Sequence, residues 1–156
     1  MAITVKRGYA SKLYYNTASF GTPTWVECTL VGDAAVDLSY DEDDATTRGD
    51  GVKASEPTLL GIEISGRMRS DENNTQMVAW ETAFFTRAIL DLMALDGGST
   101  TNGVRGVRYE GKLHKWSEDQ ALGKVLFRDF MHKPCASENA RQKAIVASGA
   151  VAFTTI

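Results

Sequence analysis

The chain has 156 residues, enough for one domain with a real core, and its 43% hydrophobic and 24% charged content excludes disordered and membrane-embedded classes. A formal charge of -3 argues against a general polyanion binder. Cys28 and Cys135 match no zinc or redox spacing, the N-terminus lacks a signal peptide's apolar centre, and no apolar run approaches the ~20 residues that span a bilayer, so the expectation is a soluble chain in a reducing cytoplasm.

Residues 11–16 are short, aromatic and β-prone, and a Thr/Ser/Gly/Pro connector follows through Pro23. Residues 24–30 alternate Trp25, Glu27 and Thr29 against Val26, Cys28 and Leu30, which predicts a strand. From Ala34 a second strand sets Val36, Leu38 and Tyr40 against Asp37 and Ser39. A third opposes Leu60, Ile62, Ile64 and Met68 to Glu63, Ser65, Arg67 and Arg69. The polar span between these two, residues 41–57, is far longer than the ~2–5 residues of a hairpin loop. Such a loop is either disordered or has a partner.

The period changes at Asp71, read as the N-cap of one amphipathic helix over residues 72–86 with Glu72 in its first turn. Met77, Trp80 and Phe84 form its core-packing stripe, widened by Val78 and Phe85. Residues 89–95 read as a strand interrupted by Asp91. Residues 104–116 and 121–132 read as a long hairpin ended by Pro134, with Gly106 and Gly111 marking bends or bulges and Arg128 and His132 on its polar face. Residues 136–143 are a polar link, and the small apolar segment 144–156 must pair with the sheet or with a neighbouring chain. The expected fold is mainly β, a β-sandwich or partly open barrel with one flanking α-helix and a long inter-strand loop, in one domain over 1–156 with a C-terminal extension from about 134.

Chemistry has few footholds. Asp41, Glu42, Asp43 and Asp44 lack the alternating ligand spacing and closing Glu of a calcium loop, so a solvated acidic face is the plainer account. Arg48-Gly49-Asp50 is a chance tripeptide in a turn, and His114 and His132 read as exposed structural histidines without metal-ligating company. Gly97-Gly98 and the pair Gly103 and Gly106 open no helix, which excludes dinucleotide and P-loop readings. The sequence offers no catalytic residue and no cofactor or metal site, and the expectation is a protein that is not an enzyme.

Five stretches and an element order carry a resemblance: residues 11–17 (SKLYYNT), 23–27 (PTWVE) and 33–39; the segment DATTRG at 44–49 and Pro57-Thr58-Leu59; and the order helix, strand, late hairpin. Together they resemble the tail tube proteins of long-tailed bacteriophages over most of residues 11–133, departing at the acid run and after Pro134. The resemblance implies a virion structural protein that self-assembles into stacked homo-hexameric rings, a hollow conduit through which genome DNA passes without specific binding. It implies contact with other phage tail proteins and no membrane, and a virion tail assembled in the host bacterial cytoplasm. It also implies that the long loop, with Asp41, Glu42, Asp43, Asp44, Thr47, Arg48, Asp50 and Lys53, makes inter-ring contacts. The polar faces of the flanking strands, Asp37, Ser39, Glu63 and Ser65, are the lumen-facing candidates, since acidic or neutral walls let a duplex slide. The alternatives are the tube subunit of a contractile injection or secretion system and a small-ligand-binding β-barrel.

Overall fold

Period-two alternation carries most of the chain into strands, and the structure, a computed structural model, describes residues 11–47, 49, 53, 55–120, 122–139 and 141–156. In chain order the elements are β1 (Lys12–Asn16), β2 (Trp25–Glu27), β3 (Val31–Asp44), β4 (Ser55–Arg69), α1 (Thr75–Thr86), β5 (Leu90–Leu95), β6 (Arg105–Asp119), β7 (Phe127–Pro134), β8 (Gln142–Ala147) and β9 (Ala150–Thr155). They form one antiparallel sheet in the order β2-β1-β5-β6-β7-β4-β3, with the β8–β9 hairpin branching from β6. Among the described residues the fold is mainly β with one helix, and the sheet does not close into a barrel.

The large apolar side chains of alternating strand positions bury two clusters on opposite sides of the β1-β5-β6 segment. Leu13, Tyr15, Leu92, Val107, Tyr109, Leu113, Phe130, Ile62, Ile64 and Met68 meet Met77 and Trp80 of α1 on one side. Tyr14, Met93 and Leu95 meet Ala144 and Val146 on the other, with Trp25, Val151 and Phe153 packed around them. Residues after Pro134 therefore belong to the sheet: β8 pairs with Arg105–Arg108 of β6, and β9 folds back through a two-residue turn at Ser148 and Gly149, both at positive φ.

The helix begins later than the charge pattern predicts. Asn74 is the N-cap, its side chain accepting from the backbone N–H groups of Gln76 and Met77, while Asp71 takes the N–H of Asn73 in the approach. Val78 and Phe85 are exposed and do not widen the buried stripe. Gly106 and Gly111 are not bulges. A Cβ at either would collide with a carbonyl oxygen across the ladder, Ala94 O or Lys133 O, so both mark close strand approach. The bulge in β6 lies between Leu113 and Lys115.

The faces of β7 are the reverse of the expectation. Phe130 and its partners Gly66 and Trp116 set the register, which turns Arg128 and His132 inward and Asp129, Met131 and Lys133 outward. Arg128 reaches Glu81 of α1 at 2.6 Å and Glu118 at 2.8 Å. His132 is fully buried, stacked on Tyr109 at 5.0 Å between centroids, with its Nε2 3.2 Å from Leu90 O. Burial pushes the imidazole down to about 4, partly offset by the Leu90 carbonyl. The unfolded chain binds this proton near pH ~6.5, so the folded state is fully favoured above that value and loses stability as pH falls towards 4. Urea midpoints should drop between pH 7 and pH 5, and His132→Phe should flatten that drop; equal slopes in both proteins would exclude His132 as the cause.

Candidate functional site

Strand pairing continues well past the expected loop boundaries. Asp44 pairs with Ser55 and Glu42 with Pro57, so Asp41–Asp44 and residues 55–57 are strand, and the connection shrinks to residues 45–54. Proline is accommodated because β4 has no second neighbour there among the described residues: β7 accompanies it only over Ile64–Arg69. The result is a two-stranded arm that projects from the sheet. A bulge between Tyr40 and Glu42 twists it, and the Thr58 hydroxyl donates to Asp41 O at 2.9 Å across that irregularity.

One face of the arm is apolar. Val36 lies opposite Ile64, Leu38 opposite Ile62 and Tyr40 opposite Leu60. Ile62 and Ile64 reach the core, whereas Leu38 is 51% and Tyr40 56% exposed, because the helix lies over β6 and the sheet interior and leaves β3 uncovered. Towards the tip the acids divide between faces by strand alternation: Asp41 and Asp43 go to one side, Glu42 and Asp44 to the other. Asp43 stands directly opposite Glu56, a like-charge pair that costs stability in the isolated arm. Hydrogen bonds from Thr46 hold the Asp44 carboxyl below its usual range. Thr47 and Lys53 are exposed, and Arg48 and Asp50 lie outside the described residues.

The opposite face of the same strands brings Asp37, Ser39, Glu63 and Ser65 together, with Asp37 directly across from Glu63. This face continues onto β7 and carries both signs: Glu63 pairs with Lys133 at 3.1 Å and Arg67 with Asp129 at 2.9 Å. Arg67 holds the Asp129 carboxyl below its ordinary value. The face thus carries two ion pairs beside the like-charged neighbours Asp37 and Glu63, a pattern that no run of one strand's residues displays. Met77 and Trp80 are buried on the inner face of the helix, and Phe84 is half-buried at the rim of that core.

Among the described residues, two free edges bound this part of the sheet. β3 is the terminal strand of the order, and β5 accompanies β6 only as far as Gly111, so β6 from Lys112 to Asp119 has no strand on that side among the described residues. The four strands β3, β4, β7 and β6 run alternately up and down, so a rotated copy would present its β3 antiparallel to this open stretch of β6.

No protein-family model matches the chain, and no curated protein matches it. Solved structures do. The SPP1 tail tube, a hybrid solid-state NMR and cryo-EM structure, aligns with a TM-score of 0.71 at 8% identity, covering 91% of this chain and 81% of that one. The tail of an empty gene transfer agent particle, refined helically with C6 symmetry, aligns at 0.68 with 10% identity, over 97% of this chain and 100% of that one. The six-fold symmetrised baseplate of the anti-feeding prophage contains a chain that aligns at 0.58 with 6% identity, over 94% and 99% of the two chains. Likeness at such low identity is one of backbone architecture, and the fold of this chain is that of phage tail tube proteins.

Proposed function

We propose that the chain is the structural subunit of a phage tail tube, assembling head to tail into stacked hexameric rings that form a conduit for genome DNA in the virion tail. The observation that carries this reading is the pair of open, antiparallel-compatible edges on β3 and β6. A 14-residue edge strand bearing exposed Leu38 and Tyr40 invites uncontrolled pairing in a monomer. A closed ring satisfies every such edge at once, and a head-to-tail contact is the kind that closes by rotation. The C6 symmetry of the gene transfer agent tail supports six as the ring number.

In this reading the face with Asp37, Ser39, Glu63 and Ser65 lines the bore, and its paired charges neither grip nor strongly repel a duplex. The arm tip, with Asp41, Glu42, Asp43, Asp44, Thr47 and Lys53, meets the adjacent ring, and cationic partners there relieve the Asp43–Glu56 repulsion. The anti-feeding prophage match favours a second reading, a tube subunit of an injection system, which shares ring and tube but does not require DNA as cargo. Cryo-electron microscopy of the purified protein tests assembly and orientation together. The expected result is rings or tubes with Glu63 and Ser65 at the bore; a monodisperse monomer at high concentration would remove the tube reading, and a bore lined by the β8–β9 side would remove the lumen assignment.

A further inference from the structure

We propose that the apolar row of β3 docks on helix α1 of a second copy of this chain, Val36, Leu38 and Tyr40 of one subunit covering Val78 and Phe85 of the next; the inference rests on the tube reading above. Both patches are large, apolar and uncovered within one chain: Val36 is 43% exposed, Val78 49% and Phe85 73%. They cannot meet in the same molecule, because β4 and β7 separate β3 from β6, over which α1 packs. In a neighbour whose β3 lies along the open edge of β6, they come to the same side of the sheet. Val36, Leu38 and Tyr40 share the face of Ile62 and Ile64, which is the face that α1 covers.

The helix patch is also continuous with the core. Phe85 leans edge-on against Phe84 at 5.5 Å, and Phe84 packs on the buried cluster, so a docked row extends an existing hydrophobic layer. Charge supports the same occupant. Glu42 and Asp44 continue the face of the row along β3, on the arm whose far end meets the adjacent ring, and Arg87 follows directly after the helix, exposed, left-handed at φ 57 and with no ion pair among the described residues. A second copy therefore supplies an apolar row and an acidic extension to a surface that offers an apolar stripe and a cation.

The test uses the full chain with Leu38→Cys and Phe85→Cys together, oxidised under conditions in which the wild type forms rings. Native Cys28 is buried and Cys135 half-buried, and the two single variants control for them. A ladder of covalent multimers up to ring size, seen only in the double variant, is the expected result. Phe85→Ser should leave the thermal melt unchanged, since the ring is mostly in solvent, and raise the concentration needed for assembly by roughly tenfold or more. If wild-type rings form while the double variant gives no ladder and Phe85→Ser assembles normally, the docking inference falls and the tube reading stands. If the wild type forms no rings at all, both fall.

Discussion

Truncation of Trp80 to alanine should lower unfolding free energy by about 3–5 kcal/mol, read as a shift in the denaturant midpoint without change in slope. Trp80 is completely buried and holds α1 to the sheet through edge-on contacts with Tyr15 at 6.3 Å and Phe130 at 5.1 Å. These two rings come from β1 and β7, on either side of β6, so the indole ties distant strands together. A cavity at this point cannot collapse easily, because strands paired by backbone ladders do not close up independently. Typical domains have only about 5–15 kcal/mol in total, so the variant should be marginal at room temperature. Phe84→Ala should cost less, since Phe84 sits half-buried at the rim. Equal losses at the two positions would mean that the helix is held by its C-terminal end.

Asp91→Ala should cost about as much, roughly 3–5 kcal/mol, for an electrostatic reason. Asp91 receives Arg108 Nε at 3.1 Å and Nη2 at 2.6 Å, and both side chains are buried. Arg108 is also roofed by aromatic rings, with Phe20 3.6 Å, Phe153 4.7 Å and Trp25 4.9 Å from its guanidinium carbon. Its remaining donors reach Phe20 O at 2.7 Å and Gln142 at 3.2 Å, while Asn16 donates to Asp91 at 2.9 Å. The pair thereby clamps the β1–β2 connection and the β8–β9 hairpin to the sheet. Removing the carboxylate leaves a cation with neither water nor counter-charge, whereas Asp91→Leu combined with Arg108→Met should recover much of the loss. Chemical denaturation of the single and double variants measures the coupling; additive losses would show that the pair is not the clamp.

The β3–β4 arm was only half legible before the tertiary structure. Alternation of Val36, Leu38 and Tyr40 with Asp37 and Ser39 identified a strand, and that of Leu60, Ile62 and Ile64 with Glu63 and Ser65 another. Their continuation through the acid run was not legible, because four adjacent acids favour solvent and turn locally. The ladder to residues 55–57 overrides that preference, and a ladder is a property of two strands. Arg128 and His132 were misplaced for the same kind of reason. By type they belong in water, yet Glu81, Glu118 and the Leu90 carbonyl supply their partners inside, from residues 47, 10 and 42 positions away.

What the amino-acid order determined by itself is therefore what local periodicity can encode: the mainly-β class, one helix centred on Met77 and Trp80, and the long hairpin ended by Pro134. What only the tertiary structure decided is which polar groups are satisfied and which apolar ones are left bare. Asp91 looked like an interruption in a strand until Arg108 and its aromatic roof were seen beside it. Leu38 and Tyr40 alternate as core residues of a strand do, yet they lie exposed because the helix packs over β6. Burial depends on what other segments bring to a residue, and those segments are remote in sequence.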